Sequence, residues 1–138
     1  MEKSLVSQIK GVEALPAKVY TTATDGEDID SKHFQSLTFL IDCATFTSDV
    51  ELKIEHADSD DPQSIVYEDT EDGDIIYPEN LKLTAQGSKQ VGYIGKKRYV
   101  RANFVSGSAT LSVFGVLGHP TRVPTIGYLA DHQFPKDV

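Results

Sequence analysis

Gln35-Ser36-Leu37-Thr38-Phe39-Leu40-Ile41-Asp42-Cys43 and Val50-Glu51-Leu52-Lys53-Ile54-Glu55-His56 decide the fold. In the first stretch Leu37, Phe39, Ile41 and Cys43 fall on one side of an extended chain, and Ser36, Thr38, Leu40 and Asp42 on the other. In the second, Val50, Leu52, Ile54 and His56 alternate with Glu51, Lys53 and Glu55. Successive side chains of an extended backbone point to opposite sides, so a period of two marks a strand with one buried and one solvated face.

Outward from these stretches, short strand-like runs recur at Lys18–Thr22, Ile65–Tyr67, Leu81–Thr84, Gln90–Ile94, Arg98–Val105 and Ala109–Leu117. In Arg98–Val105, Val100, Ala102 and Phe104 are placed to face inward, with Tyr99, Arg101 and Asn103 outward. Ala109–Leu117 is nearly apolar on both faces at its end, which suits a place deep in a sheet or at a subunit contact. Asp58-Ser59-Asp60-Asp61-Pro62, Asp69-Thr70-Glu71-Asp72-Gly73-Asp74, Gly87-Ser88, Gly95-Lys96-Lys97 and Ser106-Gly107-Ser108 read as turns between the strands, the last as a tight hairpin. No strong helix intervenes. Strand signals at this spacing predict an all-β fold, an antiparallel β-sandwich or jelly roll with extended N- and C-terminal arms.

The length of 138 residues allows a single domain with a real core. Residues 1–32 read as an N-terminal arm and first strand, 33–118 as the sandwich core and 119–138 as a C-terminal arm. Leu5, Val6 and Ile9 have helix-like spacing, and Gly11 and Pro16 stop any long helix. The C-terminal arm mixes Pro120, Pro124 and Pro135 with Val123, Ile126, Tyr128, Leu129 and Phe134, which suits an extended segment packed on its own domain or on a neighbour.

Net charge is −8, from 13 Lys+Arg against 21 Asp+Glu, which argues against a generic nucleic-acid binder. That figure hides an asymmetry. Residues 24–80 carry 17 acids and two bases, Lys32 and Lys53; residues 81–122 carry seven bases and no acid. Either the two segments fold together and partly neutralise each other, or they form two faces that join subunit to subunit. A single cysteine, Cys43, excludes an internal disulfide framework and any multi-cysteine zinc site. No apolar run approaches the roughly 20 residues of a membrane span, and Met-Glu-Lys-Ser lacks the apolar core of a signal peptide. An intracellular or virion-associated protein is the expectation.

Catalytic signatures are missing. There is no Gly-x-Ser-x-Gly elbow, and His33, His56, His119 and His132 form no metal-ligand pair. Counted from Asp69, glycine falls fifth and asparagine twelfth, where an EF-hand needs glycine sixth and glutamate twelfth. Cys43 lies in an apolar strand, as a small core residue does. Gly92-Tyr93-Ile94-Gly95-Lys96-Lys97-Arg98-Tyr99 is the most specific-looking stretch. Its Gly-x-x-Gly is followed by bases, as in the phosphate-clamping loop of KH domains, but it lies between strands rather than helices. The plain reading is a hairpin in which Gly95 permits positive φ; the other is a basic patch for an acidic partner surface. No enzyme and no cofactor is expected.

Three segments carry a resemblance: Phe34-Gln35-Ser36-Leu37-Thr38-Phe39-Leu40-Ile41-Asp42, Glu55-His56-Ala57-Asp58-Ser59-Asp60-Asp61, and Gly92-Tyr93-Ile94-Gly95-Lys96-Lys97-Arg98-Tyr99-Val100-Arg101-Ala102. In that order, over about residues 33–118, the chain resembles the jelly-roll cement (decoration) proteins of tailed-bacteriophage heads. The resemblance implies a sandwich that binds the outside of a capsid shell, with the major capsid protein and itself, as homodimer or homotrimer, for partners. It implies no membrane or nucleic-acid partner, and a virion location after synthesis in the host cytoplasm. Candidate capsid or subunit contacts are Leu5, Val6, Ile9, Lys96, Lys97, Arg98, Arg101, Val123, Ile126, Tyr128 and Phe134. Two alternatives share the sandwich: a phage neck or tail protein that assembles as a ring, and a carbohydrate-binding module displaying Tyr67, Tyr77, Tyr93 and Tyr99.

Overall fold

The computed structural model describes residues 8–58 and 62–120. The strands in chain order are β1 (Ile9–Tyr20), β2 (Ile29–Asp30), β3 (Phe34–Ala57), β4 (Glu68–Asp69), β5 (Ile75–Ile76), β6 (Lys82–Leu83), β7 (Gly87–Tyr93) and β8 (Tyr99–Pro120). Single 3₁₀ turns lie at Pro62–Ser64, Asp72–Asp74 and Pro78–Leu81. Every strand pairing is antiparallel. Among the described residues no helix is long and apolar enough to cross a membrane.

The two stretches that announce the fold are one strand. β3 runs for 24 residues and β8 for 22, and they pair from Ala57 opposite Tyr99 to Phe34 opposite Pro120. A straight strand of 24 residues would reach about 80 Å, yet a compact domain of this length has a radius of gyration of about 14 Å. The pair must therefore bend. Register shifts between Cys43 and Leu52 mark the bend in β3. Opposite them lies Ser106-Gly107-Ser108, the sequence expected to form a hairpin turn. It continues β8 instead, because Gly107 takes φ 111° and any Cβ there would strike the Asp49 carbonyl.

The bend folds one hydrogen-bonded sheet into two layers. The first layer has the strand order β1-β8-β3-β7-β5 and uses residues 34–43 of β3 and 109–120 of β8. The second uses residues 50–57 of β3 and 99–106 of β8, flanked by β2 on the β8 side and by β4 and β6 on the β3 side. The expected all-β antiparallel sandwich is observed. Leu37, Phe39, Ile41 and Cys43 from one layer and Leu52, Ile54, Ala102 and Phe104 from the other share one buried cluster. The crowded end of β8 lies deep in the first layer, with β1 on one side and β3 on the other.

The N-terminal boundary of the core moves. Residues 1–32 were expected to form an arm with a first strand at 18–22, but β1 already starts at Ile9 and pairs with β8 as far as Tyr20. Ala14, Leu15, Tyr20 and Ile29 are buried in the common core, and the Tyr20 ring stacks on Phe104 at 5.3 Å. A bulge at Ala14 breaks the strict alternation that marks a strand in sequence, so Ala14 and Leu15 are both buried. Leu5, Val6 and residues 121–138 lie outside the described residues.

Leu15→Ala should lower the unfolding free energy in urea by about 2–5 kcal/mol, as other buried leucine truncations do. Val19→Ala, on the same strand but exposed, should change it by less than about 0.5 kcal/mol. Equal small effects at both positions would place β1 outside the core.

Candidate functional site

The outer face of the second layer is where the acidic and basic segments meet. Cross-strand register sets Glu55 beside Arg101 and Lys53 beside Asn103. The Glu55 carboxylate accepts from Arg101 Nε at 2.9 Å, Arg101 Nη2 at 2.8 Å and Asn103 Nδ2 at 2.6 Å. Lys53 bridges Glu55 at 3.2 Å and Asp69 at 3.1 Å. Asn103 Oδ1 in turn accepts from the Gly26 amide at 2.9 Å, which fastens the segment between β1 and β2. The Tyr67 ring lies 4.0 Å from the Arg101 guanidinium, and its hydroxyl donates to Asp28 at 2.7 Å. Burial and the Asp28 carboxylate push the Tyr67 hydroxyl far above its usual range.

A second link joins β2 to the start of β8. Arg98 makes a two-pronged contact with Asp30, Nε to Oδ1 at 2.9 Å and Nη2 to Oδ2 at 2.8 Å. That contact holds the Asp30 carboxyl below its ordinary range. For Glu55, burial alone would raise the pKa, but the bonds from Arg101, Asn103 and Lys53 outweigh it and the net shift is downward.

The third constellation ties the two layers together around the Gly92–Tyr99 stretch. β7 and β8 do not pair with each other, so residues 94–98 form a crossover between layers rather than the expected hairpin. Gly95 has no positive φ. It is required because the Tyr93 ring occupies the space of its Cβ, with Cζ 2.6 Å away. The Tyr93 hydroxyl accepts from the Lys97 amide at 3.1 Å and lies 3.0 Å from His56 Nδ1. With that amide already donating, the phenol's own proton is free for Nδ1, which burial favours by raising the Tyr93 pKa. His56 Nε2 faces Glu68 at 3.7 Å, and Lys97 Nζ reaches the same carboxylate at 3.3 Å. An open cleft of about 640 Å³ lies over this group, lined by Asp58, Asp69, Glu71, Asp74, Lys96 and Ile94 besides.

These groups hold one another in place. Glu55, Arg101 and Asn103 satisfy one another, and His56 is oriented by Tyr93. Among the described residues no three His, Cys, Asp or Glu side chains gather closely enough to hold a metal ion.

The sequence-derived contact candidates divide accordingly. Lys97, Arg98 and Arg101 turn into the chain's own acids, so the two oppositely charged segments partly neutralise each other within one globule. Lys96 is exposed, and Ile9 opens β1 on the outside of the first layer. Leu5, Val6, Val123, Ile126, Tyr128 and Phe134 lie outside the described residues. The four tyrosines offered as a sugar platform are dispersed: Tyr93 and Tyr99 are buried, Tyr67 is covered by Arg101, and Tyr77 alone of the four is well exposed. The sequence does not mark Asn103 and Tyr67 as network members, because their partners lie far away along the chain; the signal it holds is Glu55, an acid beside Ile54 in an alternating strand.

No protein-family model matches the chain, and no curated protein sequence does. Among solved structures, the crystal structure of SPBc2 prophage-derived protein YomS is similar, with a TM-score of 0.51 at 13% sequence identity. The match covers 85% of this chain and 100% of that one. At that identity the likeness concerns the fold.

Because both Asp30 and Glu55 are held below their ordinary values, their contribution to stability is complete above those values and is lost as pH falls through the folded ones. Glu55→Ala should cost about 2–4 kcal/mol at pH 7, since it removes the acceptor of Arg101 Nε and Nη2 and of the buried Asn103 Nδ2. It should also flatten the acid limb of stability below pH 4.5, the ordinary Glu value. Urea titrations at pH 7, 5, 4 and 3 check both; an unchanged acid limb would remove Glu55 from the network's role.

Proposed function

We propose that the protein is a bacteriophage structural protein that binds the outside of the capsid shell as a cement or decoration protein. The observation that carries the reading is the fold shared with a prophage-derived protein over all of that protein's length. The residue pattern of the three phage-like segments adds to it. So does the division of labour in the fold: two long bent strands make a stiff body, and the polar clusters are spent on holding it together. A protein that braces a shell needs stiffness and docking surfaces; it needs no active site. Many weak contacts on a repeating lattice gain from avidity. The proposed partners are the major capsid protein and further copies of this chain, and the proposed location is the capsid exterior.

Cosedimentation of the purified protein with capsids that lack it tests the reading. Saturable binding at a fixed ratio to the major capsid protein is the expected result, and absence of binding would sink it. Assembly into a ring of six or more copies, measured by light scattering, would favour a neck or tail position instead. Lys96→Glu should weaken capsid binding and its salt dependence if the exposed end of the crossover meets an acidic surface. The same change at Lys97, Arg98 or Arg101 would disturb the fold and is uninformative for docking.

A further inference from the structure

The outer face of the first layer is unlike that of the second. Its side chains lie in four cross-strand rows. Ile9, Gly118 and Ser36 form the first; Gly11, Val116, Thr38, Gly92 and Ile76 the second. Glu13, Phe114, Leu40 and Gln90 form the third; Ser112, Asp42 and Ser88 the fourth. In these rows Glu13 and Asp42 are the charged side chains, and no base is present. Phe114 is 44% exposed, Leu40 43%, Ile76 43% and Ile9 40%. Exposed large apolar side chains set among small residues on one sheet face mark a candidate interaction surface.

We propose that this face binds the same face of a second copy, forming a two-fold dimer. Three observations select that occupant. The first is area. The fifteen positions of these rows, each about 4.8 Å by 6.6 Å, give roughly 475 Å² per copy, so about 950 Å² in total, which is close to the roughly 1,000 Å² of a small specific interface.

The second is shape. A two-fold axis lying in the face, across the strands and midway between the second and third rows, exchanges those rows. Phe114 and Leu40 of one copy then meet the smaller Val116 and Thr38 of the other. Aligned sheet-on-sheet packing supplies the geometry.

The third is charge. Under the same axis Asp42 lies opposite Ser36 and Glu13 opposite Gly11, so no acid meets an acid. An axis along the strands would set Asp42 against its own copy. The absence of bases also disfavours an acidic partner at this face. Self-association here does not depend on the capsid reading, and its test needs no capsid.

Sedimentation velocity of the full chain at micromolar concentration should give a dimer. Leu40→Glu and Phe114→Glu should each raise the dimer dissociation constant at least 100-fold while leaving the thermal unfolding transition in place. Thr38→Cys combined with Leu40→Cys should be joined into a covalent dimer by a bis-maleimide that spans about 10 Å, the spacing of stacked sheets. Wild type, whose Cys43 is buried, should not. A monomeric wild type would overturn the proposal. So would a dimer indifferent to both glutamate variants, or one that the engineered cysteines fail to crosslink. If the full chain is monomeric and deletion of residues 121–138 makes it dimerise, the chain's own tail occupies the face and the proposal fails.

Discussion

The pairing of β3 with β8 is the constraint on which the molecule depends. Two antiparallel strands of more than 20 residues cannot stay flat in a domain this small, and they cannot bend independently without losing their shared hydrogen bonds. They bend together, through register shifts on β3 and through Gly107 on β8. Each strand then contributes its alternating apolar residues first to one layer and then to the other. One register serves both sheets, so the inner faces arrive aligned without a separate loop to join them. The small strands β2, β4, β5 and β6 cover edges that this doubled ribbon leaves open.

Polar groups complete what the ribbon starts. Folding at the bend brings the acidic first half of the chain over the basic second half, and Asp30–Arg98, Glu55–Arg101 and Glu68–Lys97 close across the gap. Such pairs are weak sources of net stability when exposed and expensive to break when buried. Their value here lies in position. Asn103 ties Glu55 to the loop at Gly26, and Tyr93 ties His56 to the crossover at Lys97. Part of the charge asymmetry is thus satisfied within the fold, and a net −8 remains.

The sequence by itself determined the inner faces of β3 and β8, whereas the strand expected at Ile65–Tyr67 is irregular chain and the pairing falls at Glu68–Asp69 instead. Leu37, Phe39, Ile41, Val50, Leu52, Ile54, Val100, Ala102 and Phe104 point inward as their period-two pattern requires, because alternation is a local property of extended backbone. It likewise marked Cys43 as core. Only the tertiary structure decided that two apparent strand pairs are two continuous bent strands, since a turn and a bend use the same small residues. It also decided that β1 belongs to the core, because the bulge at Ala14 conceals the alternation. Finally, it assigned the bases of residues 97–101 to the chain's own acids. Charge in a sequence carries sign without direction, and only the fold brings Glu55 and Arg101, 46 residues apart, within hydrogen-bonding distance.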